Sequence, residues 1–237
     1  MKKDMVGDVP GSVLGMLADL NLKLRDGSKT PKQLERFLKG LNPFEGLDYS
    51  IILNDWEKFF FKVHNLKVDF AGVSIPKADD NDFSWFACSP ENFSTERAFS
   101  GGKKLSGRWK WTKESLDDVL DLSFGRDSKK DPYIVRFRAN LEANQDETLK
   151  NLSADQIKEK GINTGTLKER ILLGDFILWR FKKHLDMKSW TLCSGSRCSG
   201  GHVPSVGWSS DDDEFSVIYF RPGCASPLLR ARRVVSF

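Results

Sequence analysis

Residues 166–185, TLKERILLGDFILWRFKKHL, constrain the fold more than any other stretch of the chain. The spacing predicts the longest helix, capped by Thr166, with Leu167, Ile171, Phe176 and Trp179 or Arg180 dividing its faces. Apolar side chains cover more than half its circumference, so it needs neighbours on several sides and is expected at the centre of a core. Short strands follow it: SWTLC, VPSVGWS, EFSVIYF and a terminal LLRARRVVSF. A central helix followed by short strands implies an α+β fold.

The first half reads as mixed and helix-rich. In SKTPKQLERFLKG, Thr30 can cap, Pro31 takes the first helical position, Leu34, Phe37 and Leu38 share a face, and Gly40 stops the helix. NDWEKFFFKVHNL reads as a second helix, FSWFACS (83–89) as a buried strand, and WTKESLDDVLDL as a third helix capped by Thr112. FGRDSKKDP (124–132) is polar and turn-rich, which suggests a boundary. The expected organisation is therefore residues 1–125 as one region and 130–237 as a second domain. Within the latter, YIVRFRANLEA alternates like a strand and SADQIKEKG is a short helix between Ser153 and Gly161.

Composition excludes some classes. Hydrophobic residues make up 39% and charged residues 30%, as in a water-soluble globular chain. No apolar run approaches the roughly 20 residues of a membrane helix. The N-terminus, MKKDMVGDVPGSVLGMLADL, lacks the unbroken apolar core of a signal peptide. The expectation is a cytoplasmic protein, with surface display by a route lacking such a signal left open. A net charge of +4, with both signs interspersed, points only weakly to nucleic acid.

The last quarter stands apart in two ways. Its strands alternate: Phe215, Val217 and Tyr219 share one face while Ser216, Ile218 and Phe220 share the other, and Val203, Val206 and Trp208 read as core. Its composition also changes. The first 188 residues hold 23 lysines and the last 49 hold none, where about six would be expected. Gln, Met and Asn are missing as well, while Ser and Gly are plentiful.

Motifs for chemistry are weak. Cys193 and Cys198 are spaced C-x4-C, wider than a usual zinc pair, and His184 and His202 complete no common finger; no metal or cofactor is expected. CSGSRCSGG is neither a nucleophile elbow nor a phosphate loop. The run Asp211, Asp212, Asp213, Glu214 reads as a hairpin tip rather than a calcium site. Two alternatives stay open: an enzyme using Cys198, His202 and Ser196, and a nucleic-acid binder using Lys103, Lys104, Arg108, Trp109, Lys110 and Trp111.

The segments LNLKLRDGSKTPKQLERFLKGLNPF, LDMKSWTLCSGSRCSGGHVPSVGW and LRARRVVSF resemble a group of uncharacterised bacterial proteins. The C-terminal layout also resembles the C-type-lectin fold of the variable proteins of diversity-generating retroelements. That resemblance implies a lectin-like domain over 130–237, a variable segment over about 190–237, a last strand in LRARRVVSF, and Trp190 and Trp208 as core anchors. Randomised AAY codons cannot become Lys, Gln, Glu, Met or Trp, in keeping with the missing Lys, Gln and Met. It further implies a non-catalytic binding protein whose contact surface is His202, Ser205, Gly207, Ser209, Ser210, Ser216, Ile218, Phe220, Arg221, Cys224 and Ser226. Its partner would be a macromolecule, protein rather than nucleic acid.

Overall fold

A computed structural model describes residues 11–27, 29–39, 49–78, 82–127 and 129–237. Among them are seven α-helices and two sheets, so the chain is α+β. Two compact units divide between Tyr49 and Ser50. The first contains α1 (Gly11–Arg25) and α2 (Pro31–Leu38). Thr30 caps α2 as expected: its hydroxyl accepts from Gln33 N–H while the Gln33 side chain accepts from Thr30 N–H. The expected stop, Gly40, lies outside the described residues.

The second unit, from Ser50 onward, is built around α7 (Leu167–Phe181). Thr166 caps it with a reciprocal Glu169 box, and Lys182 ends it in the left-handed region at φ 57°. Against α7 lie α3 (Ser50–His64), α4 (Thr95–Gly101), β1 (Trp85–Ser89) and β5 (Val203–Ser209). Trp56 of α3 stacks on Phe176 of α7 at 4.1 Å, Phe59 and Phe60 complete the aromatic layer, and Val63 is buried beside them. The central position expected of this helix is the one it takes.

One sheet runs β1–β3–β8, with β3 at Tyr133–Phe137 and β8 at Val234–Val235, all antiparallel. The other runs β2–β6–β5–β4–β7, with β2 at Gly107–Lys110, β4 at Trp190–Leu192, β6 at Glu214–Phe220 and β7 at Leu229–Arg230. β5 and β6 form an antiparallel hairpin whose tip is the acidic run, with Asp213 at φ 52°. β2 adds to β6 in parallel.

Three expectations need correction. Residues 125–130 do not separate two units, because β1 and β2 pair across them with β3 and β6. The helix expected from Thr112 is only α5 (Leu116–Val119), capped by Ser115, while the Thr112 hydroxyl accepts from Glu114 N–H in the preceding turn. LRARRVVSF is not one strand. Leu229–Arg230 pairs with β4 and Val234–Val235 with β3, and the side chain of Arg232 drops into the interior between the two sheets.

Candidate functional site

The candidate site is a face of the five-stranded sheet, and buried charge pairs lie behind it. On its inner face Val206, Phe215 and Val217 are buried on the side of α7. Four charged residues of α7 are buried too, and each has a distant partner. Arg170 donates to Asp186 Oδ2 through Nε (3.1 Å) and Nη2 (2.8 Å), and Arg232 donates to Asp186 Oδ1 at 2.6 Å. Thr191 Oγ1 and the Ala143 N–H also donate to this carboxylate. Burial works to raise the Asp186 pKa, but Arg232 and Arg170 outweigh it and hold the carboxyl below its ordinary value.

A second cluster sits at the start of α7. Arg126 grips Glu169 with a two-pronged bond, Nε to Oε1 at 2.7 Å and Nη2 to Oε2 at 2.9 Å. Asp127 accepts from the Ser196 hydroxyl and from Lys168 N–H, and Ser196 Oγ in turn accepts from Leu167 N–H at 2.8 Å. Burial raises the Asp127 carboxyl and lowers the Lys168 ammonium. In a third pair, Arg108 meets Asp175 with its guanidinium between the rings of Phe99 and Phe215, 5.6 and 4.6 Å away. Gly101 and Gly102 make this region possible. A Cβ at Gly101 would lie 2.0 Å from His64 Nδ1, and one at Gly102 2.0 Å from Arg108 Nη2.

The outer face has a different character. Cross-strand partners point to the same side. Trp109 pairs with Ser216, and Ser216 with Gly207. One step beyond the Thr191–Val206 pair, Trp190 lies across from Gly207, where a Cβ would come within 2.9 Å of its indole. The row therefore reads Trp109, Ser216, Gly207, Trp190: two indoles separated by two small residues. The next row holds Ile218, Ser205 and Leu192, and the next Phe220 and Val203. Toward β7, Trp190, Phe220 and Cys224 pack on a cluster of Ala154, Leu192, Val203 and Leu229. Ala154 belongs to α6 (Ala154–Glu159), so α6 covers part of this face.

This places the residues expected to form a contact surface. Ser210 and Arg221 are exposed; His202, Ser209, Ile218, Phe220, Cys224 and Ser226 are half-buried. Ser205, Gly207 and Ser216 are buried, which corrects the expectation that they face a ligand. Alternation assigned them rightly to the second face, but there Trp190 lies against Gly207, and Ala154 of α6 packs with Val203 and Leu192 of the neighbouring rows. Ser205, Gly207 and Ser216 form the floor of that face. The expected anchors Trp190 and Trp208 are half-buried, with Trp208 against His184 at 3.7 Å between ring centres. Trp109, 47% exposed, was placed in a basic segment by sequence, and nothing local signals its pairing with a residue 107 positions later.

Several residues of the two alternative readings are engaged elsewhere. Ser196 is sealed and committed to Asp127 and Leu167. Burial pushes the Cys198 thiol up to about 11, away from thiolate reactivity. Its contact with His202 runs through backbone, Cys198 N–H to His202 O at 2.8 Å. In the basic-aromatic segment, Arg108 is spent on Asp175 and Lys110 on Glu96 at 2.7 Å, leaving Lys103 and Lys104 exposed. No group of three or more His, Cys, Asp or Glu placed to hold a metal occurs among the described residues, and none of their helices is long and apolar enough to cross a membrane. Comparison with family models, with curated proteins and with solved structures gives no match to this chain.

Proposed function

We propose that this is a ligand-binding protein that displays a diversified surface on a C-type-lectin-like scaffold, in the manner of diversity-generating-retroelement variable proteins. One observation carries the reading: a sheet face of half-exposed aromatic and aliphatic residues over a floor of Ser and Gly, backed by a separate charge-paired core. A solvated face would carry Lys, Glu and Thr instead. Ile218, Phe220 and Trp109 supply apolar contact, and His202, Ser209, Ser210, Arg221, Cys224 and Ser226 supply an exchangeable rim. The order of a central helix followed by short strands, with near-terminal β8 returning to β3, supports the lectin-like comparison. The partner is a protein, since large apolar side chains with few charges suit a protein surface better than a phosphate backbone.

The test is to sequence the gene neighbourhood. A reverse-transcriptase gene and a near-copy of the coding sequence for 190–237 are expected, with mismatches concentrated at adenines. A neighbourhood without such a copy, or with mismatches spread evenly over the four bases, overturns the diversification reading.

A further inference from the structure

Five buried polar atoms without a hydrogen-bond partner among the described residues meet at one seam of the second unit. They are both ring nitrogens of His64, Nε and Nη1 of Arg108, and Oδ2 of Asp175. Such atoms are rare in a native fold, and each costs stability where it lies. His64 of α3 and Asp175 of α7 stand on one side of the seam. On the other stand α4, the short helical turn Gly102–Lys104 and β2, which carries Arg108. Gly101 lies against the His64 ring and Gly102 against Arg108 and Asp175, so the backbone of these two glycines closes the seam.

The second side is tied to itself as one piece. Glu96 of α4 accepts from the Lys110 ammonium at 2.7 Å and from Leu116 N–H at 2.8 Å, and Asp117 of α5 accepts from Thr95 N–H at 2.9 Å. The piece is held to the rest by packing of α4 on α7, by the four-residue parallel ladder of edge strand β2 on β6, by the Arg108–Asp175 pair and by His64 against Gly101. The charges that act on the His64 ring are cations: Arg108 of β2, Arg97 of α4, and Lys104. The nearby carboxylates are engaged elsewhere, Asp175 by Arg108 and Glu57 of α3 by Phe70 N–H. A neutral imidazole fits this shell. An imidazolium would face three like charges and find no acceptor among the described residues.

We propose that residues 95–117 form an acid-released flap that opens while α7 and β3 stay folded, with the neutral His64 ring as its latch. Opening parts Gly101 from the ring, lets water reach both nitrogens, and carries Trp109 off the row it shares with Ser216, Gly207 and Trp190. The device holds whether or not that face takes a ligand. Its sign follows from linkage. In the open state the imidazole takes a proton near its ordinary 6.5; in the closed state burial, and then the three cations, hold it to about 4, so acid draws the flap open.

Hydrogen exchange of the full chain, read peptide by peptide at pH 7.5 and pH 5 and corrected for the intrinsic rate, tests it. The amides of 95–110 are expected to be less protected than those of α7 at both pH values, and their opening equilibrium to rise roughly thirtyfold on acidification. His64→Leu is expected to remove that rise. The proposal is overturned if 95–110 is as protected as α7 and loses protection together with it, because the acid effect then belongs to the whole chain. It is also overturned if the parent shows no rise, or if His64→Leu shows the parental one. Should that variant fold poorly, nitrogen spectra of the parent labelled at its three histidines decide the matter. One imidazole is expected to stay neutral at pH 5, and three that all titrate above pH 6 overturn the latch.

Discussion

The buried histidine gives the most quantitative handle on this structure. His64 closes α3 among the rings of Phe59, Phe60 and Phe93, with centroids 5.0 to 5.4 Å away, and neither ring nitrogen has a hydrogen-bond partner among the described residues. Gly101 lies against its edge. Burial, and then Arg108, Arg97 and Lys104, lower its pKa from 6.5 to about 4. The unfolded chain takes up a proton near pH 6.5 and the folded chain refuses it until about pH 4. The unfolded state therefore binds more protons in that window, and stability falls as pH drops through it. Between pH 7.5 and pH 5 these two values give a loss of about 2 kcal/mol. With a urea m-value of about 2 kcal/mol/M, the unfolding midpoint moves down by roughly 1 M.

Urea unfolding of the parent and of His64→Leu at both pH values isolates this term, because the other titrating groups are shared and cancel in the difference. At pH 7.5 the variant is expected within about 1 kcal/mol of the parent, since it removes two unpartnered polar atoms from an aromatic shell. At pH 5 it is expected to be the more stable of the two by about 2 kcal/mol relative to that baseline. The reasoning is refuted if the two proteins lose the same stability between pH 7.5 and 5.

Other outcomes follow from the buried pairs. Asp186→Asn leaves Arg170 and Arg232 facing each other without a carboxylate, and is expected to cost about 3–5 kcal/mol in denaturant unfolding. Asp186 has a lowered folded pKa, so its stabilisation is complete above the unfolded value near 3.9 and is lost as pH falls through the folded one; parent and variant stabilities should converge only in strong acid. Arg108 Nε and Nη1 and Asp175 Oδ2 have no hydrogen-bond partner among the described residues, so the double replacement R108M/D175L is expected to be neutral or stabilising, while Asp175→Ala alone is expected to destabilise by about 3–5 kcal/mol; unfolding of both variants checks this. Gly102→Ala places a methyl group on the Arg108 guanidinium and is expected to lower the thermal midpoint by several degrees in calorimetry. Cys198 is expected to react with a thiol reagent at pH 7.5 far more slowly in the native protein than after denaturation.

The elements legible in the sequence are those whose cause is local. Thr30, Ser153 and Thr166 each cap a helix through a side chain three residues from its partner, and the β5–β6 hairpin is written in adjacent alternating runs. What failed depends on distant partners. Whether Gly207 is open to a ligand is decided by the indole of Trp190, which alternation along one strand does not contain. LRARRVVSF splits between two sheets because Arg232 turns inward to Asp186, 46 residues away. Likewise Glu169, Arg170 and Asp175 are buried only because Arg126, Asp186 and Arg108 wait for them elsewhere in the chain, and the Lys168 ammonium because it donates to the carbonyl oxygens of Phe93 and Asp127. The outer row pairing Trp109 with Ser216 belongs to the same category, since parallel addition of β2 to β6 leaves no mark in either strand.

The claim beneath the functional reading is that the sheet's rim can change without disturbing the platform that carries it. A combinatorial library at His202, Ser209, Ser210, Ile218, Arg221 and Ser226, sorted by resistance to protease, measures this directly. The account predicts that most members fold with thermal midpoints within a few degrees of the parent, whereas a matched library at Arg126, Glu169, Arg170, Asp186, Ser196 and Arg232 yields almost none. Equal loss of folded members from both libraries would contradict it, because the rim would then be part of the structure rather than its display.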